Sequence, residues 1–213
     1  MNKFFIGISA RIVNPTNYNE TRDAISHDLI GILDKLGFIP ILIPNNLSNT
    51  INFLDQFIFS GFIISGGDNI GDYPQRDKTE NTILEYSSKK NIPTLGICRG
   101  MQVINDFFGG KIRLNESKNH VNTNHHIKII DEKFKIIFKN NSIDVNSYHN
   151  NIIKLHDLGH DVIPFATYDD TVEGFYHKYL PIIGIMWHPE REQNYQNQLN
   201  LMKHFYEKLF WNE

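Results

Sequence analysis

The stretch that decides the fold is Ile92–Gln102, which reads IPTLGICRGMQ. Its apolar first half predicts a buried strand, and its second half opens a helix that Gly109 ends. Cys98, the only cysteine among the 213 residues, lies where strand passes into helix, between Gly96 and Gly100. A GxCxG turn in this place is the cysteine form of a nucleophile elbow, because glycines permit a tight turn that exposes the thiol. The stretch therefore predicts a nucleophilic cysteine at the carboxyl edge of a sheet.

Apolar runs and helical repeats alternate along the whole chain. They predict strands at 3–9, 38–44, 61–65 and 92–97 and helices at 21–36, 47–59, 77–90 and 99–108. Four βα units in a row predict a parallel, doubly wound sheet with helices on both faces. Further β-rich runs follow at 127–130, 134–138, 161–168, 172–176 and 182–187, before a closing helix at 199–210. These runs predict antiparallel strands that join the same three-layer α/β core.

Composition and charge are those of an ordinary globular protein. Hydrophobic residues make up 40% and charged residues 21%, and the length favours one domain spanning 1–213. A net charge of −3 gives no basic surplus for binding nucleic acid or an anionic membrane. The opening MNKFFIGISARIV is too short and too polar for a signal peptide or a membrane span. We therefore predict a cytoplasmic protein without either of those partners.

A second motif, far downstream, supplies the base that a cysteine nucleophile needs. A thiol is mostly protonated at neutral pH, so catalysis requires a lowered pKa or a neighbouring base. His188 follows the apolar run 182–187, and Glu190 comes two residues later, beyond Pro189. An imidazole would thus emerge at a strand end beside a carboxylate that can orient it. A lone cysteine is more often an inert core residue, but the elbow and the His-Pro-Glu motif together favour an acyl-transfer enzyme.

An acyl-transfer site also needs two donors for the oxyanion. The amide of Arg99, just after the cysteine, is the usual first donor of an elbow. Gly66 and Gly67, at the end of the neighbouring strand, are placed to give the second, although a plain tight turn is the alternative interpretation.

Metal and nucleotide cofactors find little support in the sequence. His120, His125 and His126 lie close together, but no carboxylate or cysteine completes a recognisable ligand spacing around them. GxGxxG and P-loop patterns are absent from the sequence. We predict neither a metal nor a cofactor.

Four ordered motifs resemble those of class I glutamine amidotransferases. They are SGGDN at 65–69, GICRGMQ at 96–102, VNSYHN at 145–150 and WHPE at 187–190. With the N-terminal IGISAR, they are most similar to the stand-alone γ-glutamyl hydrolase branch, typified by γ-glutamyl-γ-aminobutyrate hydrolase. The resemblance implies a flavodoxin-like three-layer fold with a mostly parallel sheet and a C-terminal antiparallel region. It also implies cleavage of a small γ-glutamyl amide through a thioester, without cofactor or metal.

The resemblance assigns a role to each matching residue. Cys98 would be the nucleophile, His188 the general base and later acid, and Glu190 its orienter. Gly67 and Arg99 would give the oxyanion-hole amides. The glutamyl α-amino and α-carboxylate groups would be held by Gln102 and by the segment Ser147, Tyr148 and His149.

The leaving group is indicated by where the chain departs from the γ-aminobutyrate type. The segment 115–126 does not match that pattern, and Asn150-Asn151 replaces a usual His-Gln pair. The composition, rich in Asn, Lys and Ile, is similar to γ-glutamyl-CDP-amidate hydrolases of capsule phosphoramidate biosynthesis. A phosphorylated leaving group needs cations, for which Arg11, Arg76 and Lys111 are candidates. The polar segment 115–124 is a candidate lid over the site.

Two other functions stay open from the sequence. One is a glutaminase subunit that delivers ammonia to a partner synthase, although Arg99 stands where ammonia-channelling subunits commonly carry leucine. The other is a non-catalytic, thiol-sensing member of the same fold. We expect no obligatory synthase partner, and a homodimer is an arrangement that the sequence leaves open.

Overall fold

The computed structural model describes residues 4–115, 121–191 and 196–207. Its strands are β1 (Phe4–Ser9), β2 (Arg11–Val13), β3 (Arg22–Ala24), β4 (Phe38–Ile43), β5 (Phe59–Ile64), β6 (Thr94–Ile97), β7 (Arg113–Leu114), β8 (Val121–Ile129), β9 (Ser142–Tyr148), β10 (Asn151–Ile152), β11 (Val162–Tyr168), β12 (Thr171–His177) and β13 (Ile182–Ile185). Its helices are α1 (His27–Lys35), α2 (Thr50–Leu54), α3 (Pro74–Lys90), α4 (Arg99–Phe107), α5 (Glu132–Phe138) and α6 (Gln196–Tyr206).

The main strands form one mixed sheet in the order β4-β1-β5-β6-β13-β12-β11-β8-β9. Neighbours from β4 to β13 pair in parallel, and those from β13 to β9 pair antiparallel. The predicted parallel half and antiparallel region are therefore confirmed, and they belong to a single sheet. Because β13 lies parallel to β6, with Ile185 opposite Ile97, the residues that follow both strands emerge at the same edge.

Helices cover both faces of the sheet, as predicted. One face packs against α1, α5 and α6, with Leu33, Phe134 and Phe205 among the buried contacts. The other packs against α2, α3 and α4, with Ile83 and Met101 in its core. Strands buried on both sides explain the continuous apolar runs of β5 and β13.

One predicted strand is a helix. Residues 134–138 form α5, whose first turn is capped by the Asp131 side chain accepting a hydrogen bond from the Lys133 amide. Phe134 and Phe138, four residues apart, are buried, while Ile136 is 76% exposed. The prediction was wrong because two buried aromatics four residues apart fit a helix as well as a strand, and the cap decides in favour of the helix.

Several predicted boundaries also differ. The helix predicted from residue 21 begins at His27, after the Ser26 cap, because Arg22–Ala24 pairs instead with β2. The helix predicted at 47–59 is shortened to α2. The closing helix is α6, and residues 208–210 of its predicted range lie outside the described residues, as does 116–120 of the candidate lid. Residues 121–124 belong to β8, whose partner β9 was not predicted.

The helices of the described ranges are not membrane spans. Within residues 4–115, 121–191 and 196–207, every helix is too short or too polar to cross a bilayer.

Candidate active site

The turn predicted to be a nucleophile elbow has a strained backbone at Cys98. Cys98 lies between β6 and α4 with φ 52° and ψ −106°, a backbone conformation that residues other than glycine rarely adopt. Its amide is anchored by a 2.8 Å hydrogen bond to the Ile185 carbonyl of β13. Cys98 therefore stands at the N-terminus of α4, as its N-cap residue.

Gly100 is the residue that lets α4 approach β5. A Cβ built on Gly100 would lie 1.9 Å from the Ile64 carbonyl oxygen, a backbone atom that cannot move aside cheaply. The second glycine of the GxCxG motif is therefore required by packing of the helix on the sheet, and this packing sets the position of the elbow.

We expect Gly100→Ala to destabilise the fold by about 2–3 kcal/mol, because the new methyl group forces helix and strand apart. Gly31→Ala is the matched control, since Gly31 lies inside α1 with nothing within 4 Å of its added Cβ. There the substitution should stabilise by about 0.5–1 kcal/mol. Urea unfolding of both variants measures the difference, and equal midpoints would contradict the packing argument.

The predicted triad residues meet at the edge shared by β6 and β13. His188 lies just beyond β13, and its Nδ1 is 2.8 Å from Oε1 of Glu190 in the short turn Pro189–Arg191. The imidazole and the Cys98 side chain line the same pocket, and both lie within 4 Å of the position that a Cβ on Gly66 would take. All three side chains are buried. Thiol, imidazole and carboxylate therefore lie together at one edge of the sheet.

The environment of His188 favours its charged form. Burial opposes protonation, but the hydrogen bonds to Cys98 and Glu190 outweigh it and raise the pKa of His188 to about 9. An imidazolium held beside the sulfur stabilises a thiolate and keeps a proton ready for a leaving group.

The dependence of kcat/KM on pH should show the raised pKa of His188. The imidazolium is present below pH 9 and is lost above it, so kcat/KM should fall as the pH rises through about 9. Because the folded pKa exceeds the unfolded value, the stabilisation from this proton is full below about pH 6.5 and disappears through the same upper range. In Glu190→Gln the falling limb should move to lower pH, since the acceptor that holds the proton is weakened. An unchanged limb in that variant would contradict the assignment.

Asn146 holds the backbone of His188. Its Nδ2 donates to the His188 carbonyl at 2.8 Å, and the His188 amide donates to its Oδ1 at 3.0 Å. This role was not predicted, although the residue lies inside the VNSYHN motif. The available signal was an asparagine inside this motif, which was singled out for the residues next to it.

The loop that carries Gly67 is held by Arg76. The guanidinium donates to the carbonyls of Ser65 at 2.8 Å, Gly66 at 2.9 Å and Gly67 at 3.4 Å. The Gly67 N–H belongs to the same trans peptide as the Gly66 carbonyl, which accepts from Arg76. Because N–H and C=O point in opposite directions across a trans peptide, this N–H is directed away from Arg76. The predicted role of Gly67 as an oxyanion donor requires its N–H to point away from Arg76 and α3, as it does here.

Arg76 belongs to a buried ionic network under the elbow. Its Nε donates to Glu80 at 2.9 Å, and Glu80 also accepts from Arg99, whose guanidinium contacts Asp77 as well. The prediction of Arg76 as a cation at the site mouth is therefore wrong, because its side chain is fully buried. The Arg99 side chain also points into this network. Its predicted role at the pocket therefore involves only its backbone amide.

A pocket of about 270 Å³ opens over Cys98. Its lining includes most of the predicted residues, namely Gly67, Cys98, Arg99, Gln102, Tyr148, His149 and His188. Ser147 is buried and does not line it. Arg11 lies beside the loop, with its guanidinium 3.9 Å from Asp68, whereas Lys111 is not part of the lining.

Five lining residues were not predicted as site residues, namely Asp68, Asn69, Asn150, Asn151 and Arg191. Asn151 donates to Asn69 at 3.1 Å and lies 3.5 Å from the Gln102 oxygen, so it links two motifs across the pocket. Arg191, directly after the His-Pro-Glu motif, lies over the Tyr148 ring at 5.0 Å. The Asn150-Asn151 pair and the basic residue after Glu190 were visible in the sequence, but only the fold shows what they contact.

A second histidine group lies behind this pocket. Ligand atoms of His125, His149 and Glu173 fall within 4.8 Å of one another, and all three side chains are buried. Nδ1 of His149 lies 2.8 Å from the Asn151 carbonyl, while its Nε2 faces Glu173 at 3.8 Å. Burial raises the pKa of Glu173 to about 7, against a hydrogen bond from Thr171.

These donors are of the types that bind divalent ions. The predicted histidine grouping is different, because His126 pairs with Asp144 at the surface and His120 lies outside the described residues. The absence of a metal stays a prediction.

The layered fold and the elbow define a protein like the class I glutamine amidotransferases. A Thermoplasma acidophilum structure described as a GMP synthase component superposes with a TM-score of 0.74 at 23% identity, covering 97% of this chain and 94% of that one. A glutamine amidotransferase of Thermotoga maritima gives 0.67 at 15% identity, covering 99% and 85%. These likenesses establish the fold.

The chain belongs to the Peptidase C26 family, whose model matches residues 5–190. It is 32% identical over 210 residues to the Gamma-glutamyl-CDP-amidate hydrolase of Campylobacter jejuni, with 95% of this chain and 97% of the relative covered. It is also 32% identical over 167 residues to a glutamine-hydrolyzing GMP synthase subunit of Pyrococcus furiosus, covering 77% and 82%. The protein is therefore a hydrolase of carbon–nitrogen bonds, which speaks against the thiol-sensing alternative.

Proposed function

We propose that this protein hydrolyses the γ-glutamyl amide bond of a small-molecule conjugate, with Cys98 as nucleophile. The observation that carries the proposal is that Cys98 and His188 line one pocket of about 270 Å³, with Glu190 2.8 Å from Nδ1 of His188. The expected products are glutamate and a free amine or phosphoramidate. γ-Glutamyl-CDP-amidate is the substrate we favour, because the Campylobacter relative carries that name and aligns over nearly the entire chain.

The proposed reaction has two steps. The Cys98 thiolate attacks the γ-carbonyl carbon, and the amides of Gly67 and Arg99 stabilise the oxyanion. The C–N bond then breaks, the departing nitrogen takes the proton held by His188, and a γ-glutamyl thioester remains. Water next attacks the thioester while His188 accepts its proton, after which glutamate leaves and the thiol is restored. Glu190 stabilises the imidazolium throughout.

The pocket over Cys98 supports a glutamyl group rather than a larger acyl group. Its volume of about 270 Å³ suits one amino acid, and its polar lining offers partners for both α-substituents. We assign those contacts to Gln102, Tyr148 and His149, with Asn151 linking Gln102 to the far wall. Arg11, which is not part of the pocket lining, remains the candidate cation for a phosphorylated leaving group that the sequence indicated. The proposed catalytic unit is one domain that needs no metal, cofactor or synthase partner.

A glutaminase subunit is the second candidate, because the Pyrococcus relative is also 32% identical and is named for GMP synthase. The two candidates differ in what the isolated chain does. A free-standing hydrolase turns over γ-glutamyl conjugates alone, whereas a channelling subunit releases ammonia from glutamine and depends on its partner.

The test is glutamate release by the purified chain from γ-glutamyl-CDP-amidate, γ-glutamyl-γ-aminobutyrate and glutamine. We expect kcat/KM for a conjugate to exceed that for glutamine, with the largest value for the nucleotide amidate. Cys98→Ala is the blank, and a chelator added to the assay should leave the rate unchanged. Cleavage of glutamine alone, and only with a synthase present, would replace the proposal by the second candidate.

A further inference from the structure

A second, larger cavity adjoins the catalytic pocket. It has a volume of about 540 Å³, within the range of small-molecule sites, and it shares Tyr148 and Arg191 with the pocket over Cys98. Asn146, whose carboxamide holds the His188 backbone, forms part of its wall. His188, which lines the pocket over Cys98, is therefore joined through its backbone and Asn146 to the wall of the larger cavity.

The wall of this cavity is rich in carboxamide side chains. They come from Asn124, Asn140, Asn146, Asn197 and Gln198. The Asn146 carboxamide is used by the His188 backbone, and the side-chain oxygens of Gln198 and Asn140 accept from Trp187 and Ser142. Asn124 and Asn197 therefore offer a donor and an acceptor side by side, which is the complement of the edge of a nucleobase, and Asn140 and Gln198 add donors. The lining also contains a carboxylate, Asp144, whose Oδ1 lies 2.8 Å from Nδ1 of His126.

Arg191 provides a cation where the two cavities meet. Its side chain is 38% exposed, its Nε lies 3.9 Å from Oε1 of Glu190, and its guanidinium carbon lies 5.0 Å from the centre of the Tyr148 ring. A guanidinium binds phosphate oxygens through paired donors, and the exposed tyrosine ring offers a surface for stacking a base. The cavity thus has a cation at its entrance and carboxamides further in. Phosphates and base follow one another in the same order along a nucleotide.

We propose that this cavity is the leaving-group subsite and that it takes a nucleoside diphosphate, with Arg191 on the phosphates and the carboxamides on the base. The inference rests on the proposed function, because a γ-glutamyl group bound over Cys98 places the scissile bond beside His188. The nitrogen joined to the phosphate then receives the His188 proton at the entrance of the larger cavity, and the nucleotide product leaves from there.

Binding can be measured without turnover in the Cys98→Ala protein by titration calorimetry with CDP, UDP, ADP, cytidine and pyrophosphate. At least one nucleoside diphosphate should bind about tenfold or more tightly than pyrophosphate or cytidine. Adding Arg191→Gln should weaken that binding about tenfold. Asn197→Leu, which alters the larger cavity alone, should weaken nucleoside diphosphate more than pyrophosphate. Arg22→Gln, at an exposed ion pair with Glu20, is the control.

The outcomes separate this inference from the proposed function. Failure of every nucleoside diphosphate to bind, or binding that Arg191→Gln and Asn197→Leu both leave unchanged, overturns the subsite. If γ-glutamyl amides are hydrolysed while no nucleotide binds, the proposed hydrolase activity stands and the subsite does not. If nucleotides bind as described but no γ-glutamyl amide is cleaved, the cavity assignment is supported and the reaction is not.

Discussion

Cys98→Ala should abolish turnover of every γ-glutamyl amide, with a loss in kcat of about 10⁴-fold or more, because no other residue of the chain offers a thiol to form the thioester. The fold should persist, since alanine fits the same buried space and the elbow is anchored by the backbone bond to Ile185. Steady-state glutamate release and a thermal melt of the variant measure the two effects.

Cys98→Ser is the matched control for this result. It keeps an oxygen nucleophile of similar size, but a serine hydroxyl is far less acidic than a thiol and gains little from the imidazolium of His188. It should therefore be almost as inactive as alanine and equally well folded. Mass spectrometry of acid-quenched wild-type enzyme should find a glutamyl adduct on the peptide that contains Cys98. Full activity in either variant would remove covalent catalysis by this residue.

Glu190→Gln should lower kcat by about 10⁴-fold while KM changes little, by analogy with serine triads whose orienting carboxylate is neutralised. The carboxamide can still occupy the position 2.8 Å from Nδ1 of His188, but it cannot stabilise the imidazolium charge. Initial rates over a range of substrate concentrations separate the two constants.

Glu20→Gln is the control for the removal of one carboxylate, because Glu20 pairs with the exposed Arg22 near the surface. It should leave both constants unchanged. An unaltered kcat in Glu190→Gln would exclude Glu190 from the reaction and leave the histidine to act with Cys98 alone. A rise in KM without a fall in kcat would instead assign Glu190 to substrate binding.

The parallel half of the fold could be predicted because its signals are local. The strand, the elbow and the helix after it are encoded within eleven consecutive residues, and glycines mark where α4 must approach β5. The β2–β3 pairing and the edge strand β9 depend on partners more than a few residues away, so their sequences alone carried no signal. Residues 134–138 were mistaken for a strand because spacing alone did not separate the two alternatives.

The candidate site was predictable to a similar extent. Cys98, His188 and Glu190 lie in compact motifs whose spacing carries the chemistry, and the adjacency of β6 and β13 brings them together. The contacts of Asn146 and Asn151 cross between separate motifs, so no spacing in the sequence reveals them. Arg76 was misjudged for the opposite reason, since an arginine near a site mouth and a buried one look the same in a sequence.

The hydrogen bonds from Arg76 to three successive carbonyls have a consequence for how activity is regulated. A buried guanidinium bonded to successive carbonyls holds the backbone of this loop in one conformation. On the proposed oxyanion role of the Gly67 amide, we therefore expect the isolated chain to be active without a partner that rearranges the loop.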